Sequence, residues 1–172
     1  VQSAAEGEVR MIGRRYEKGT VPRSLEAAMD VGFDNVCVDL IYGLPGQTML
    51  SWEESVATVA EVRPETVCAY PLTLRPNTGF ANLGHVDVDG ALQYRKYDLA
   101  HEVLTSAGYE QQTHVRWVLP GQGGYLQKEY HWAGEALLGF GAGARSYLWD
   151  VDLRNGYSVL ERRSALDQYL RC

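Results

Sequence analysis

Apolar positions in the first two thirds of the chain alternate between helical spacing and near-continuous runs. Val9, Met11 and Ile12 mark a short helix over Glu6 to Arg15. Gly19 and Pro22 interrupt it. A second helix is predicted to begin near Pro22, since proline is tolerated in a first turn. Leu25, Ala28 and Met29 form its stripe, and Gly32 ends it. FDNVCVDLIYG follows, almost wholly apolar and valine-rich, which predicts a strand covered on both faces and hence a parallel one. Thr48 or Ser51 then starts a helix, with Glu54 at capping-box spacing after Ser51 and with Trp52, Val56, Val59 and Ala60 at helical spacing. Pro64 closes this helix, and TVCAYPLTL predicts a second buried strand.

A long, glycine-rich loop, RPNTGFANLGHVDVDG, leads into a helix predicted from Ala91 to Ala107, carrying Leu92, Tyr94, Tyr97, Leu99, Val103 and Leu104. Gly108 stops it. YEQQTHVRWVL alternates like one strand, and PGQGG reads as a turn. LLGFGAGARSYLWDVDLRNGYSVL predicts two strands around Arg154-Asn155-Gly156, because Asn-Gly favours tight hairpins. A last helix is predicted from Arg162 to Leu170. Sequential βα units with continuous apolar strands place the chain in the parallel α/β class.

Composition narrows the function. With 172 residues, 45% hydrophobic and 22% charged, the chain can bury one real core. A net charge of -6 argues against a nucleic-acid partner. No apolar run approaches the roughly 18 residues of a membrane span, and VQSAAEGEVR lacks a secretory pattern. The opening without methionine reads as a fragment, with part of the active site expected in a missing segment. Cys37, Cys68 and Cys172, spaced by 31 and 104 residues, fit no metal motif. Their odd number argues against a disulfide framework, so a reducing, cytoplasmic setting is expected, with Cys37 and Cys68 as buried thiols.

Asp39 stands inside an apolar strand, just before Gly43-Leu44-Pro45-Gly46. In βα architectures ligands sit at the carboxyl ends of parallel strands. Asp39 there either accepts hydrogen bonds from a ribose or an amine, or is buried against loop amides. Thr73 lies near the same rim, at the end of the next strand. LGFGAGARSY is glycine-rich but precedes a strand rather than opening a helix, which suits a close approach of backbone better than a dinucleotide fingerprint. QKEYHW joins polar and aromatic groups, yet His85, His101, His114 and His131 are scattered and read as surface or packing residues. No G-x-S-x-G elbow and no Walker loop occurs. From the residues alone, the chain is a ligand binder whose site is on the strand rim.

Several segments taken together resemble the oxygen-independent coproporphyrinogen III oxidase family of radical S-adenosylmethionine (SAM) enzymes, with its heme-chaperone and methylating branches. They are VQS followed by IGRRY, then GFDNVCVDLIYGLPGQT, AYPLTLRPNT, AGYEQ and LLGFGAGARSYL. The resemblance implies the later part of a partial (β/α) TIM-type barrel with parallel strands, plus a small C-terminal α+β extension. Residues 1–88 would form the βα units, and 89–172 the last helix, strand region and extension. It implies one or two SAM molecules, and a four-iron four-sulfur cluster (4Fe-4S) bound by an upstream C-x-x-x-C-x-x-C segment that this sequence does not contain. By resemblance, Gln2, Arg14 and Asp39 hold SAM, Thr73 lies beside it, Arg145 passes it on the glycine-rich segment, and Gln127 matches a more distant glutamine. The implied chemistry is a 5′-deoxyadenosyl radical reaction. It would end in oxidative decarboxylation of a porphyrinogen, or in methyl or methylene transfer to a natural-product intermediate. An electron donor such as flavodoxin or ferredoxin would serve the full-length protein. The alternative within the family is a heme-binding chaperone. Arg145 stands where many chaperone-branch members carry histidine, which favours a methylating or cyclopropane-forming relative.

Overall fold

The computed structural model describes residues 1–17, 19–74, 89–122, 130, 133–141, 143–155 and 170. The described residues of 1–74 and 89–122 form one compact unit, and those from 130 onward form another.

The first unit contains α1 (Glu6–Met11), α2 (Thr20–Asp30), β1 (Cys37–Tyr42), α3 (Met49–Val62), β2 (Thr66–Pro71), α4 (Gly90–Ser106), β3 (Glu110–Thr113) and β4 (Arg116–Val118). Its sheet has the order β1-β2-β4-β3. β1 and β2 are parallel, in register Asp39↔Cys68, and α3 makes the crossover between them. β4 is antiparallel to both β2 and β3. The fold is therefore mixed α/β with a parallel pair on one side of the sheet. The segment expected to be one strand after Tyr109 is instead a hairpin folded at His114-Val115, and it turns half the sheet antiparallel.

One face of the sheet is packed. Val38, Leu40 and Tyr42 of β1, Val67 and Ala69 of β2 and Trp117 of β4 meet Trp52, Val56 and Val59 of α3 and Ala100 and Leu104 of α4. Burying each such large side chain contributes roughly 1.5–3 kcal/mol. The aromatic polar atoms find partners: Trp52 Nε1 donates to the Lys96 carbonyl at 2.7 Å, and the Tyr109 hydroxyl to the Pro64 carbonyl at 2.7 Å. Burial pushes the Tyr109 phenol up to about 12.

The other face differs from the expectation. β1 was expected to be covered on both faces, but its burial alternates, with Cys37 and Asp39 exposed and Val38 and Leu40 buried. In a strand, successive side chains point to opposite faces. Residues 37, 39 and 41 therefore share one open face, while 38, 40 and 42 face the helices.

Thr48, not Ser51, caps α3; its side chain accepts from the Ser51 amide, and the Ser51 hydroxyl accepts from the Thr48 amide. That capping box needs no Glu54. The buried stripe of α4 is Lys96, Ala100 and Leu104, whereas Tyr94 is largely exposed.

The second unit contains the antiparallel hairpin β5 (Arg145–Leu148) and β6 (Val151–Arg154). Its turn is Trp149-Asp150, with Trp149 at φ 50, not Asn155-Gly156. The Asn155 amide instead donates to the carbonyls of Gly139 and Gly141, at 3.1 and 2.8 Å. The glycine-rich segment packs against β5 as expected: a Cβ at Gly139 would lie 2.3 Å from the Arg145 carbonyl oxygen. The final helix expected at 162–170 falls outside the described residues apart from Leu170. No helix among the described residues is long and apolar enough to cross a membrane.

Candidate functional site

The carboxyl end of β1 runs into the loop Gly43–Gln47, and the packing of that loop is set by a buried polar network. Gln47 is its hub. Its Oε1 accepts from the Gly43 amide at 2.7 Å, and its Nε2 donates to Glu8 at 3.0 Å and to the Ile41 carbonyl at 3.1 Å. Lys96 Nζ donates to the Gln47 carbonyl at 2.7 Å and to Oε1 at 3.2 Å. Glu8, only 5% exposed, also accepts from Ser3 at 2.7 Å and from Ser51 at 2.5 Å. Burial pulls the Lys96 ammonium below the ordinary lysine value, while the Glu8 carboxylate raises it. Gly43 is at φ 83, and a Cβ there would meet Gln93 Nε2 at 2.8 Å. The loop is thus a rigid lip on the strand end, tied to α1 through Glu8 and to α4 through Lys96.

Beside that lip, the N-terminal segment runs along the free edge of β1, where the Ile41 amide donates to the Gln2 carbonyl at 2.8 Å. That bond sets Gln2 beside the strand that carries Asp39. The Tyr16 hydroxyl fixes the Arg14 segment by donating to the Ser3 carbonyl at 2.7 Å. Arg14 also lines a cavity of about 660 Å³ with Glu6, Arg10 and Tyr16, to which neither Gln2 nor Asp39 contributes.

Asp39 is exposed on the open face, so the alternative of a carboxylate buried against loop amides does not hold. Strand alternation is the reason: a residue two positions from Cys37 and Ile41 must share their uncovered face. Thr73 lies just past β2, exposed, next to the point where the Leu72 amide extends the pairing to the Tyr42 carbonyl at 2.7 Å. It sits at the same rim as the loop. Arg145 belongs to the second unit. It opens β5 with its side chain half-exposed and donates to Tyr147 and Asp152, both at 3.5 Å, which raise its proton affinity. Gln127 lies outside the described residues.

The sequence reading did not find the thiol pair on this face. Cys37 was expected to be buried and is exposed, whereas Cys68 is buried. Their sulfurs lie 3.9 Å apart, and the ligand atoms of Cys37, Asp39 and Cys68 all lie within 4.8 Å of one another. The hydrogen bond within the pair lowers the Cys68 thiol to about 7, against burial, and raises that of Cys37. Spacing along the chain carries no trace of this, because parallel pairing of β1 with β2 creates it. The Glu8–Gln47–Lys96 network was missed as well. Its one signal was Lys96 falling at i, i+4 and i+8 with Ala100 and Leu104.

Comparison with known proteins follows the same outline. No family model matches the chain. The heme chaperone HemW of Bacillus subtilis is 31% identical over 152 residues, covering 86% of this chain and 40% of the relative. The oxygen-independent coproporphyrinogen III oxidase of Salmonella typhimurium is 31% identical over 104 residues, covering 59% of this chain and 23% of the relative. Among solved structures, coproporphyrinogen III oxidase (HemN) from Escherichia coli, a radical SAM enzyme, superposes with a TM-score of 0.74 at 24% identity, over 98% of this chain and 42% of that one. The chain spans about two fifths of the length of the curated relatives it matches best among these. It is homologous to the heme chaperone HemW and to oxygen-independent coproporphyrinogen III oxidase, the family that its DLIYGLPGQT and LLGFGAGARSYL segments resemble.

Proposed function

We propose that the chain supplies one wall of the SAM site in a radical SAM protein of this family, with the open face of β1 as the inner wall of a partial barrel. One observation carries this reading: Asp39 is exposed on the open face of β1, and the Ile41–Gln2 bond runs the N-terminal segment along the edge of that strand. The residue types fit the ligand. A guanidinium pairs well with the carboxylate of an amino acid. An exposed carboxylate accepts from an amine or a ribose hydroxyl, and an amide side chain both donates and accepts. Thr73 offers a further polar contact at the rim. Arg145 and Gln127 keep the roles that the resemblance implies.

When bound, SAM supplies a sulfonium that is the source of an adenosyl radical or of a methyl group. The residues of this chain orient that ligand. The lip at Gly43–Gln47, held by Glu8 and Lys96, keeps the strand end rigid under it. The 4Fe-4S cluster does not fit the residues present, because Cys37, Cys68 and Cys172 do not form a C-x-x-x-C-x-x-C loop. No step is therefore assigned to it within this chain.

The reaction we favour is oxidative decarboxylation of a porphyrinogen or carbon transfer to another substrate, with a flavodoxin or ferredoxin as electron donor. A second reading, a heme chaperone, is supported by the similarity to HemW of Bacillus subtilis. Anaerobic incubation of protein carrying the family's cluster loop with SAM, reductant and coproporphyrinogen separates the two. Release of 5′-deoxyadenosine with a substrate that has lost carboxyl groups or gained carbon supports the catalyst. Stoichiometric heme uptake without either product supports the chaperone and removes the catalytic reading.

A further inference from the structure

We infer that Cys37, Cys68 and Asp39 form a binding site for a zinc-class divalent cation on the open face of the β1–β2 pair. The inference stands on the thiol geometry and does not rest on the SAM reading. Zinc takes sulfur ligands at roughly 2.3 Å in a tetrahedral arrangement, which places two such sulfurs ~3.8 Å apart. The Cys37 and Cys68 sulfurs are 3.9 Å apart. The third ligand is at hand, with a carboxylate oxygen of Asp39 within 4.8 Å of both. A tetrahedral site needs about 3.6 Å between sulfur and oxygen. Asp39 is exposed, so turning its side chain inward by about 1 Å disturbs no packed neighbour.

A disulfide does not suit the same pair. Cys37 is registered with Thr66, and Cys68 with Asp39, so the two cysteines are diagonal neighbours. With strands roughly 4.8 Å apart and a rise of about 3.3 Å per residue, diagonal Cα atoms lie roughly 8 Å apart. A disulfide requires about 4.4–6.8 Å. A bridging ion spans what a sulfur–sulfur bond cannot.

Charge is balanced locally. Two thiolates and a carboxylate around a divalent ion leave one negative charge, and Arg116 is the cross-strand partner of Cys68 on β4. Three protein ligands leave the fourth corner for water or another small donor, in the manner of open zinc sites. Each thiol still protonated gives up its proton as its metal–sulfur bond forms, so one ion bound releases roughly one to two protons, depending on pH. No electron is transferred.

The test uses the reduced chain, freed of metal by a chelator. Zn²⁺ titration by calorimetry in two buffers of different ionisation enthalpy reads stoichiometry and proton release. Co²⁺ titration reads thiolate-to-metal charge-transfer absorption. One ion per chain, roughly one to two protons released near neutral pH and the charge-transfer band are expected. Cys37→Ser, at an exposed position that leaves the core intact, should weaken binding at least ~100-fold and abolish half the band. Asp39→Asn should weaken binding ~10-fold and keep the band. Circular dichroism confirms that each variant is folded. Absence of the band in the wild-type chain, or Zn²⁺ affinity unchanged in folded Cys37→Ser, overturns the site. So does ready formation of a Cys37–Cys68 disulfide in a chain that binds no Zn²⁺ when reduced.

Discussion

Glu8 and Lys96 are opposite charges buried on different helices, and Gln47 stands between them. Replacing Lys96 with methionine keeps the volume of the side chain and removes the ammonium. The Gln47 carbonyl then loses a 2.7 Å bond, and its Oε1 a 3.2 Å one. Hydrogen bonds to charged groups are worth about 1.5–3 kcal/mol each, offset in part by relief of the desolvation that lowers the Lys96 proton affinity. We expect Lys96→Met to cost about 2–4 kcal/mol, overlapping the roughly 3–5 kcal/mol for breaking a buried pair. The bridge itself sets the coupling. Two hydrogen bonds of 3.0 and 3.2 Å through one amide bound the charge separation at roughly 8.5 Å. At an effective dielectric of about 20 that separation gives ~2 kcal/mol. Urea unfolding of the wild type, Glu8→Gln, Lys96→Met and the double variant, followed by the fluorescence of buried Trp52 and Trp117, closes the cycle. The double variant should be more stable than the sum of the single losses predicts, by ~2 kcal/mol. Additivity to within about 0.5 kcal/mol would refute the bridge and reduce Gln47 to a local loop residue.

Three other outcomes follow from the first unit. The raised Tyr109 phenol stabilises the fold while it stays protonated, so its contribution is complete below pH 10 and is lost as pH rises through about 12. The loss is up to roughly 2.7 kcal/mol, two pKa units at about 1.36 kcal/mol each. The stability difference between wild type and Tyr109→Phe, measured from pH 9 to 12, should fall by most of that amount; a constant difference would remove the buried phenol as its cause. Gly43→Ala places a Cβ 2.8 Å from Gln93 at a left-handed position and should cost about 1–3 kcal/mol, read as a lowered Tm; an unchanged Tm would show a lip that yields. Ser51→Ala removes the 2.5 Å bond to Glu8 and the reciprocal cap of α3, and should cost about 1–2 kcal/mol in urea unfolding; a loss well below 1 kcal/mol would mean that water replaces both.

Where a segment's own periodicity matched its packing, the sequence reading held. Trp52, Val56 and Val59 repeat at helical spacing and do face the core. The Gly108 stop, the positive φ of Gly32 after α2 and the parallel strand–helix–strand unit were legible for the same reason. β1 was misread because Cys37 and Ile41 are apolar, which hid a two-residue alternation that Asp39 alone betrayed. The β3–β4 turn at His114-Val115 contains neither glycine nor proline, so nothing local announced it. The β5–β6 turn was placed at Asn-Gly because that pair is the stronger local signal. Tertiary contacts of Asn155 with Gly139 and Gly141 outweigh it. The network of Glu8, Gln47 and Lys96, like the thiol pair, joins residues distant in the chain and has no one-dimensional signature beyond the stripe that contains Lys96.

SAM binding by calorimetry to wild-type protein and to Asp39→Ala most directly tests the reading of the open face as an adenosyl-ligand wall. Loss of a hydrogen bond to a charged group should weaken binding by about 1–3 kcal/mol, roughly 5- to 150-fold, with the unfolding midpoint unchanged because Asp39 is exposed. Equal affinity in the two proteins, with both folded, would contradict the account.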